Sequence, residues 1–251
     1  MIHETAIISK KAKIGKDVVI DAFVVIDDDV EIAEGCHILT GSVLQNGCRI
    51  GKNCYIGPYA SLGGKPMDIH FQDEKSFLVI GDNVEIRDFA SIHRASGENQ
   101  STVIGNNSLI MSYVHLSHNC KIGKNVNIVT GVRMGGHVEV GDFAFISANT
   151  NIHQFCRIGK YAIVSAQTGV NRDVLPFSLV FGHHGKHYRL NKVGLERHGI
   201  DGHRYKIIEK AIRAFRRKDW GLLDELASQS KDVSDMLEFK NSSKRGILGF
   251  V

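Results

Sequence analysis

Thirteen histidines stand in 251 residues, and four of them, His115, His118, His137 and His153, share one short stretch. Imidazole titrates close to neutral pH, so a well-placed ring can take a proton from a sugar hydroxyl or amine. Two adjacent glycines, Gly135 and Gly136, lie among these histidines. Lacking a side chain, a glycine leaves its backbone N–H open to an oxyanion as it develops. His118 and Gly136 are 18 residues apart, as are Gly136 and Gln154, and His137 follows Asn119, and His153 follows Gly135, by the same interval. If the chain repeats with that period, these residues stack on one ridge. The chemistry such a ridge suits is direct acyl transfer, with His118 as general base, the Gly136 N–H as oxyanion donor and no covalent enzyme intermediate. A single histidine at a solvent edge is most often mere hydrophilic cover, but four beside a Gly–Gly pair favour a site. A metal centre is the weaker alternative, because stacked coils separate the rings along the axis and neither an HxH nor an HExxH spacing occurs. No serine elbow, P-loop or dinucleotide fingerprint competes, so no cofactor is expected.

The required period is present. From Ile8 an apolar residue returns at every sixth position through Leu62, resumes at Ile80, Ile86 and Ile92, and runs again from Ile104 to Val170, 25 positions in all. Four residues after each there is usually a small or β-branched residue, as at Val24, Cys36, Val126 and Ala144. Neither the strand period nor the helix period produces this pattern. Short strands with a turn at each end do, three of them making one triangular coil of 18 residues. The expected fold is therefore mainly β: a left-handed parallel β-helix of hexapeptide repeats, about eight coils over residues 1–176, and an exception to the right-handed crossover rule. All five cysteines, Cys36, Cys48, Cys54, Cys120 and Cys156, fall at the small interior position, where a thiol packs as a compact hydrophobe. Disulfide, zinc and nucleophile roles recede accordingly.

The rhythm breaks twice. The first break, an expelled loop over residues 63–79, contains Met67-Asp68-Ile69-His70 and is too long for a turn, and long loops in compact domains usually serve function. The second, Ala95 to Val103, is short and polar and reads as surface decoration. After Pro176 the rhythm ends, and residues 177–251 read as an α-helical C-terminal domain that closes the end of the solenoid. Its helices are expected at Asp201 to Lys218, Asp219 to Ser230 and Asp232 to Lys240, each opened by an aspartate. From His183 onward 15 Lys and Arg face 9 Asp and Glu, in a chain of net charge +4. The basic helix carrying Arg204, Lys206, Lys210, Arg213, Arg216, Arg217 and Lys218 suits an acidic protein partner, a solvated face being the commoner alternative. No nucleic acid is expected. No apolar run approaches the roughly 18 residues of a membrane span, and the N-terminus lacks a basic stretch followed by an apolar one, so a cytoplasmic address is expected.

The hexads, the excursion after Leu62, Ile92-His93-Arg94, His115-Leu116-Ser117-His118-Asn119-Cys120, Gly135-Gly136-His137-Val138 and His153-Gln154-Phe155-Cys156 together resemble the UDP-N-acetylglucosamine acyltransferase family of lipid A biosynthesis. Asn191-Lys192-Val193-Gly194-Leu195-Glu196-Arg197-His198-Gly199 continues the resemblance, which covers nearly the whole chain. It implies a homotrimer with sites between subunits. It also implies transfer of a 3-hydroxyacyl chain from acyl carrier protein to the 3-position of UDP-N-acetylglucosamine or its 3-amino analogue. By position it makes His118 the base and Gly136 the oxyanion donor. Asp68, His115, His137, His153, Gln154, Asn191 and Arg197 would hold the nucleotide sugar, Arg197 on phosphate, where a guanidinium fits best. Ala166 matches the position that limits acyl-chain length. The N-acyltransferase of the same pathway carries an extra N-terminal uridine-binding domain, whereas here the hexads begin at Ile8.

Several residues depart from the pattern. The family usually has Asp after the catalytic His; Asn119 stands here, so charge support is lost and the ring is expected to be oriented from elsewhere. Met67 replaces the Gln usual beside Asp68, and a thioether scarcely hydrogen-bonds a hydroxyl, so acceptor selectivity is expected to shift toward the 3-amine. Val193 stands where an acidic residue is common, and His198 replaces one of two adjacent arginines. Two rival readings are a hexapeptide binding protein that has lost its chemistry and a zinc-dependent hexapeptide enzyme. The register of His118 with Gly136 argues against the first.

Overall fold

The computed structural model describes all 251 residues. Each hexad makes one short strand and one turn, so three hexads return the chain to its starting edge one coil higher. The pairing shows the 18-residue register directly: Ile8 lies beside Ile26, Leu116 beside Met134, and Met134 beside Ile152. Three sheets of nine, eight and ten strands result, every pairing parallel except the last. Sheet I runs from Ile7–Ile8 to Gly169–Val170, sheet II from Lys13–Ile14 to Arg157–Ile158, and sheet III from Val19–Ile20 onward, enclosing a left-handed parallel β-helix. The inward aliphatics fuse into one core of 44 buried residues, and all five cysteines are buried and free.

The turns repeat as strictly as the strands. In most of them the third residue lies in the left-handed region, with φ from 53° at Asn53 to 64° at Phe155 where it is not glycine and 70–73° at Gly41, Gly131 and Gly35. That conformation costs about 1–2 kcal/mol for most L-residues, and Asn bears it best. Stacking along the prism edges offsets the cost where the residue is aromatic. Tyr59, Phe89 and Tyr113 stack at 5.4 and 5.1 Å, and Phe143, Tyr161 and Phe177 at 4.8 and 5.6 Å.

The expelled loop is shorter than its spacing suggested, because Ser61–Gly64 and Phe77–Ile80 extend the neighbouring strands into it and leave residues 65–76 outside. At the other end, the parallel stack carries on beyond Pro176. Ser178–Phe181 pairs with Ile163–Val164 in sheet III before Lys186–Leu190 turns back antiparallel. Four helices follow: α1 (Lys192–Arg197), α2 (Gly202–Arg217), α3 (Trp220–Gln229) and α4 (Lys231–Asn241). Helix α1, of six residues, is too short to give a periodic signal in the sequence. Asp219 caps α3 by accepting from the Leu222 N–H at 3.1 Å, but Asp201 makes no cap bond and Ser230, not Asp232, precedes α4. Asp232 instead takes two hydrogen bonds from Arg204, at 2.7 and 3.1 Å, a pairing stronger than a cap for a largely buried carboxylate.

The solenoid is closed not by the helices but by the final segment. Ile247 bridges Asp173, Phe250 bridges His187, and Leu248 enters the solenoid core. The helices build a second core of 14 buried residues alongside, and Lys160 anchors α4 through Asp235 at 2.6 Å. His187 locks the closing segment. Its Nδ1 donates to the Leu248 carbonyl at 2.9 Å and its Nε2 accepts from the Leu175 N–H at 3.0 Å, so the buried ring is neutral. Burial pushes its pKa down to about 4. The unfolded chain binds this proton near pH 6.5 and the folded chain only near pH 4, so its contribution to stability falls as pH drops through that window. The loss should reach about 3 kcal/mol. Melting curves at pH 7 and pH 4.5 check this: His187→Asn should melt lower at pH 7 but lose less on acidification than the parent chain.

Candidate active site

The edge where sheet I passes into sheet II carries, coil upon coil, His118-Asn119, Gly136-His137 and Gln154-Phe155. Backbone bonds hold them in register: the His137 N–H donates to the His118 carbonyl at 3.0 Å and the Phe155 N–H to the Gly136 carbonyl at 2.9 Å. A Cβ at position 136 would stand 2.7 Å from both Cε1 and Nε2 of His118, so only glycine lets the imidazole lie against the next coil. Gly136 is buried, and its N–H makes no hydrogen bond within the chain.

The proton on His118 can be placed. Asn119 Oδ1 accepts from the Ser96 N–H at 2.9 Å, and Asn119 Nδ2 donates to the Ser96 carbonyl at 3.0 Å. This pair fixes which way the amide faces. His118 Nδ1, 2.8 Å from the same Oδ1, must therefore be the donor, leaving the Nε2 lone pair free as a base. Two expectations are corrected here. The ring's orientation comes from Asn119 itself, and residues 95–103 are structural support rather than decoration, with Ala95 fully buried.

The two excursions are stitched together. The Gly97 N–H donates to Glu74 at 2.6 Å and the Lys75 N–H to Glu98 at 3.2 Å. They bring Asp68 to the edge beside His118, where the His70 N–H, donating at 3.0 Å, and then the Ser96 hydroxyl hold its carboxyl below the usual carboxylate range. Met67, adjoining it, is 67% exposed. His137 meets His118 edge-on at 5.3 Å and stacks on Phe155 at 4.7 Å. Burial, then the neighbouring His118, lowers its pKa. His115, on the outer face of sheet I, is lowered by burial and by Arg133. No three His, Cys, Asp or Glu side chains converge as metal ligands.

Two residues were missed. His93 lies edge-on to His115 at 5.1 Å, its Nδ1 buried without a partner. Burial first, then repulsion from His115 and His118, pushes its pKa down to about 4. The excursion at 95–103 displaces it from the 18-residue interval, so periodicity could not flag it. Arg245, in the closing segment, donates to His153 Nδ1 at 3.2 Å and to the Asn171 carbonyl at 3.0 Å. Nothing local marks it. His153 and Gln154 are exposed higher on the ridge.

The remaining candidates lie elsewhere on the chain. Asn191 and Arg197 line a cavity of about 390 Å³ with Phe143, Phe145 and His198 at the edge between sheets II and III. The Asn191 amide is already engaged, donating to the Tyr161 carbonyl at 2.9 Å and accepting from the Gly194 N–H at 3.1 Å as the cap of α1. Ala166 is exposed on the third edge, between sheets III and I.

Known proteins match the fold and almost the whole length of the chain. Residues 173–248 fit the family described as Udp N-acetylglucosamine O-acyltransferase, domain 2, and residues 101–136 the bacterial transferase hexapeptide. An acyl-(acyl-carrier-protein) UDP-N-acetylglucosamine O-acyltransferase of Sulfurihydrogenibium sp. is 51% identical over 98% of this chain and 93% of its own. That of Thermodesulfovibrio yellowstonii is 40% identical over 98% of each. The Francisella novicida UDP-N-acetylglucosamine acyltransferase structure superposes with a TM-score of 0.95 at 34% identity, covering 99% of this chain and 94% of the other. With this identity along almost its full length, the chain belongs to the UDP-N-acetylglucosamine O-acyltransferase family and is an acyltransferase.

Proposed function

We propose that the chain carries out the first step of lipid A biosynthesis, moving a 3-hydroxyacyl group from acyl carrier protein to the 3-position of UDP-N-acetylglucosamine or of its 3-amino analogue. The observation that carries this reading is His118, whose Nδ1 donates to Asn119 so that the neutral ring presents Nε2 as its free nitrogen beside Gly136. His118 Nε2 takes the proton of the attacking hydroxyl or amine as that atom bonds to the thioester carbon. The Gly136 N–H receives the oxyanion. Collapse breaks the C–S bond, and the leaving thiolate recovers the proton from His118.

The spread of candidates over three edges supports a homotrimer. An edge bearing His118 in one subunit, set against the Asn191–Arg197 edge of the next, gives the nucleotide sugar both sets of groups, and Ala166 a place along the acyl groove. His115, His137, His153 and Gln154 then flank the sugar nucleotide, with Arg197 on phosphate. For the carrier protein, the exposed Lys206, Lys210, Arg216, Arg217 and Lys218 offer a basic surface, whereas Arg204 and Arg213 are engaged with Asp232 and Glu209.

Replacing His118 by Ala should lower turnover by about 10²-fold to 10⁴-fold with the fold intact, as removal of a general base does. Steady-state assays at neutral pH decide it, and near-parental turnover would refute the base. Ala166→Met should shorten the preferred donor by a few carbons, each methylene being worth about 0.8 kcal/mol, and a panel of acyl carrier protein thioesters reads out the change. With Met67 offering no amide and Asp68 ionised, the 3-amino sugar should be the better acceptor by a factor of about ten, near 1.4 kcal/mol. Letting the two nucleotides compete for one donor tests this by mass spectrometry: predominant ester would sink it.

A further inference from the structure

A base is only as good as its aim, and here the aim traces to a loop outside the coil. Residue 119 sits at φ +59°, in the left-handed region that Asn tolerates better than most residues. Ser96 meets it with both polar groups of its own main chain, a donor at 2.9 Å and an acceptor at 3.0 Å. A carboxylate has no proton to give, so only an amide can satisfy both groups at once. The second lone pair of Oδ1 is then left for the His118 Nδ1–H.

We propose that Ser96 is the positioning residue of the active site, holding Asn119 and through it His118 by its main chain, and that this loop requires an amide, not a carboxylate, at position 119. The inference rests on the reading of His118 as the base. Asn119 is thus matched to residues 95–103 rather than a weakened carboxylate. An aspartate there would face the Ser96 carbonyl oxygen with a charged oxygen of its own at about the same separation, and leaving that contact means leaving the Ser96 N–H and the imidazole with it. Because Ser96 also lies beside Asp68, one residue sets the acceptor-side carboxylate and the base relative to each other.

The test uses the full-length chain in four variants, His118→Ala, Asn119→Asp, Asn119→Gly and Ser96→Ala, each with kcat, KM and the pH dependence of kcat/KM. Glycine keeps the left-handed backbone at 119 while removing the amide, so its result does not hinge on backbone strain. Asn119→Gly and Asn119→Asp should both lower kcat by about 10²-fold with acceptor KM nearly unchanged, the size expected of a misaimed catalytic group. In Asn119→Asp the acidic limb should stay at the parental midpoint, because the carboxylate has swung away. Ser96→Ala, which keeps both main-chain groups, should raise acceptor KM without moving that limb. Full kcat in Asn119→Asp with the limb raised by about one unit or more would show a carboxylate seated on the imidazole and overturn the proposal. Parental kcat in Asn119→Gly would overturn it equally. Either result with His118→Ala inactive leaves the base standing, whereas an active His118→Ala removes the base itself.

Discussion

An aliphatic side chain every sixth residue can be kept from water only if the chain turns back on itself at each repeat, and everything else in the molecule depends on that burial. Ile38, Ile56, Ile86 and Ile110, stacked in sheet III, are wholly excluded from solvent. Each such side chain contributes about 1.5–3 kcal/mol when removed from water, and a slip by one residue would turn the whole set outward. Register is therefore rigid, and with it the coil-to-coil spacing. A group on one coil is placed against a group 18 residues away with a certainty that no loop could match.

The site exploits this spacing and then departs from it. His118 and Gly136 are adjacent because the coils are, and glycine is required because the imidazole already fills the room a Cβ would need. The tautomer is set by something off the lattice, the Ser96 main chain acting through Asn119. Amide and backbone groups do here what a charged partner would do elsewhere. The surroundings favour neutral rings as well, since burial lowers the pKa of His93, His115 and His137. Asp68, like Glu74 in the same excursion, has a lowered pKa, held so by hydrogen bonds rather than by an arginine or lysine.

The closing end follows another logic. The last few residues return to the end of the solenoid, where Leu248 joins Val170, Val174 and Val180 in the core. The same segment carries Arg245 to His153, so the far terminus touches the ridge. His187 ties that segment down in a form that holds only while the ring is uncharged.

The amino-acid sequence by itself determined the coil, the ridge and the pairing of His118 with Gly136, because a strict period of six converts sequence separation into distance. It also located the first excursion and the basic helix α2. Tertiary structure alone decided what happens where the period lapses. Residues 95–103 look like polar filler, yet the Ser96 main chain holds the Asn119 amide that meets the His118 ring. His93 falls outside the interval, and Arg245 arrives from far along the chain. Asn191, legible as a substrate ligand by resemblance, also caps α1, and Asp232 leaves a cap for Arg204. In each case the outcome depends on which groups share a small volume. Outside the repeat, separation along the chain carries no measure of that volume, and only packing supplies it.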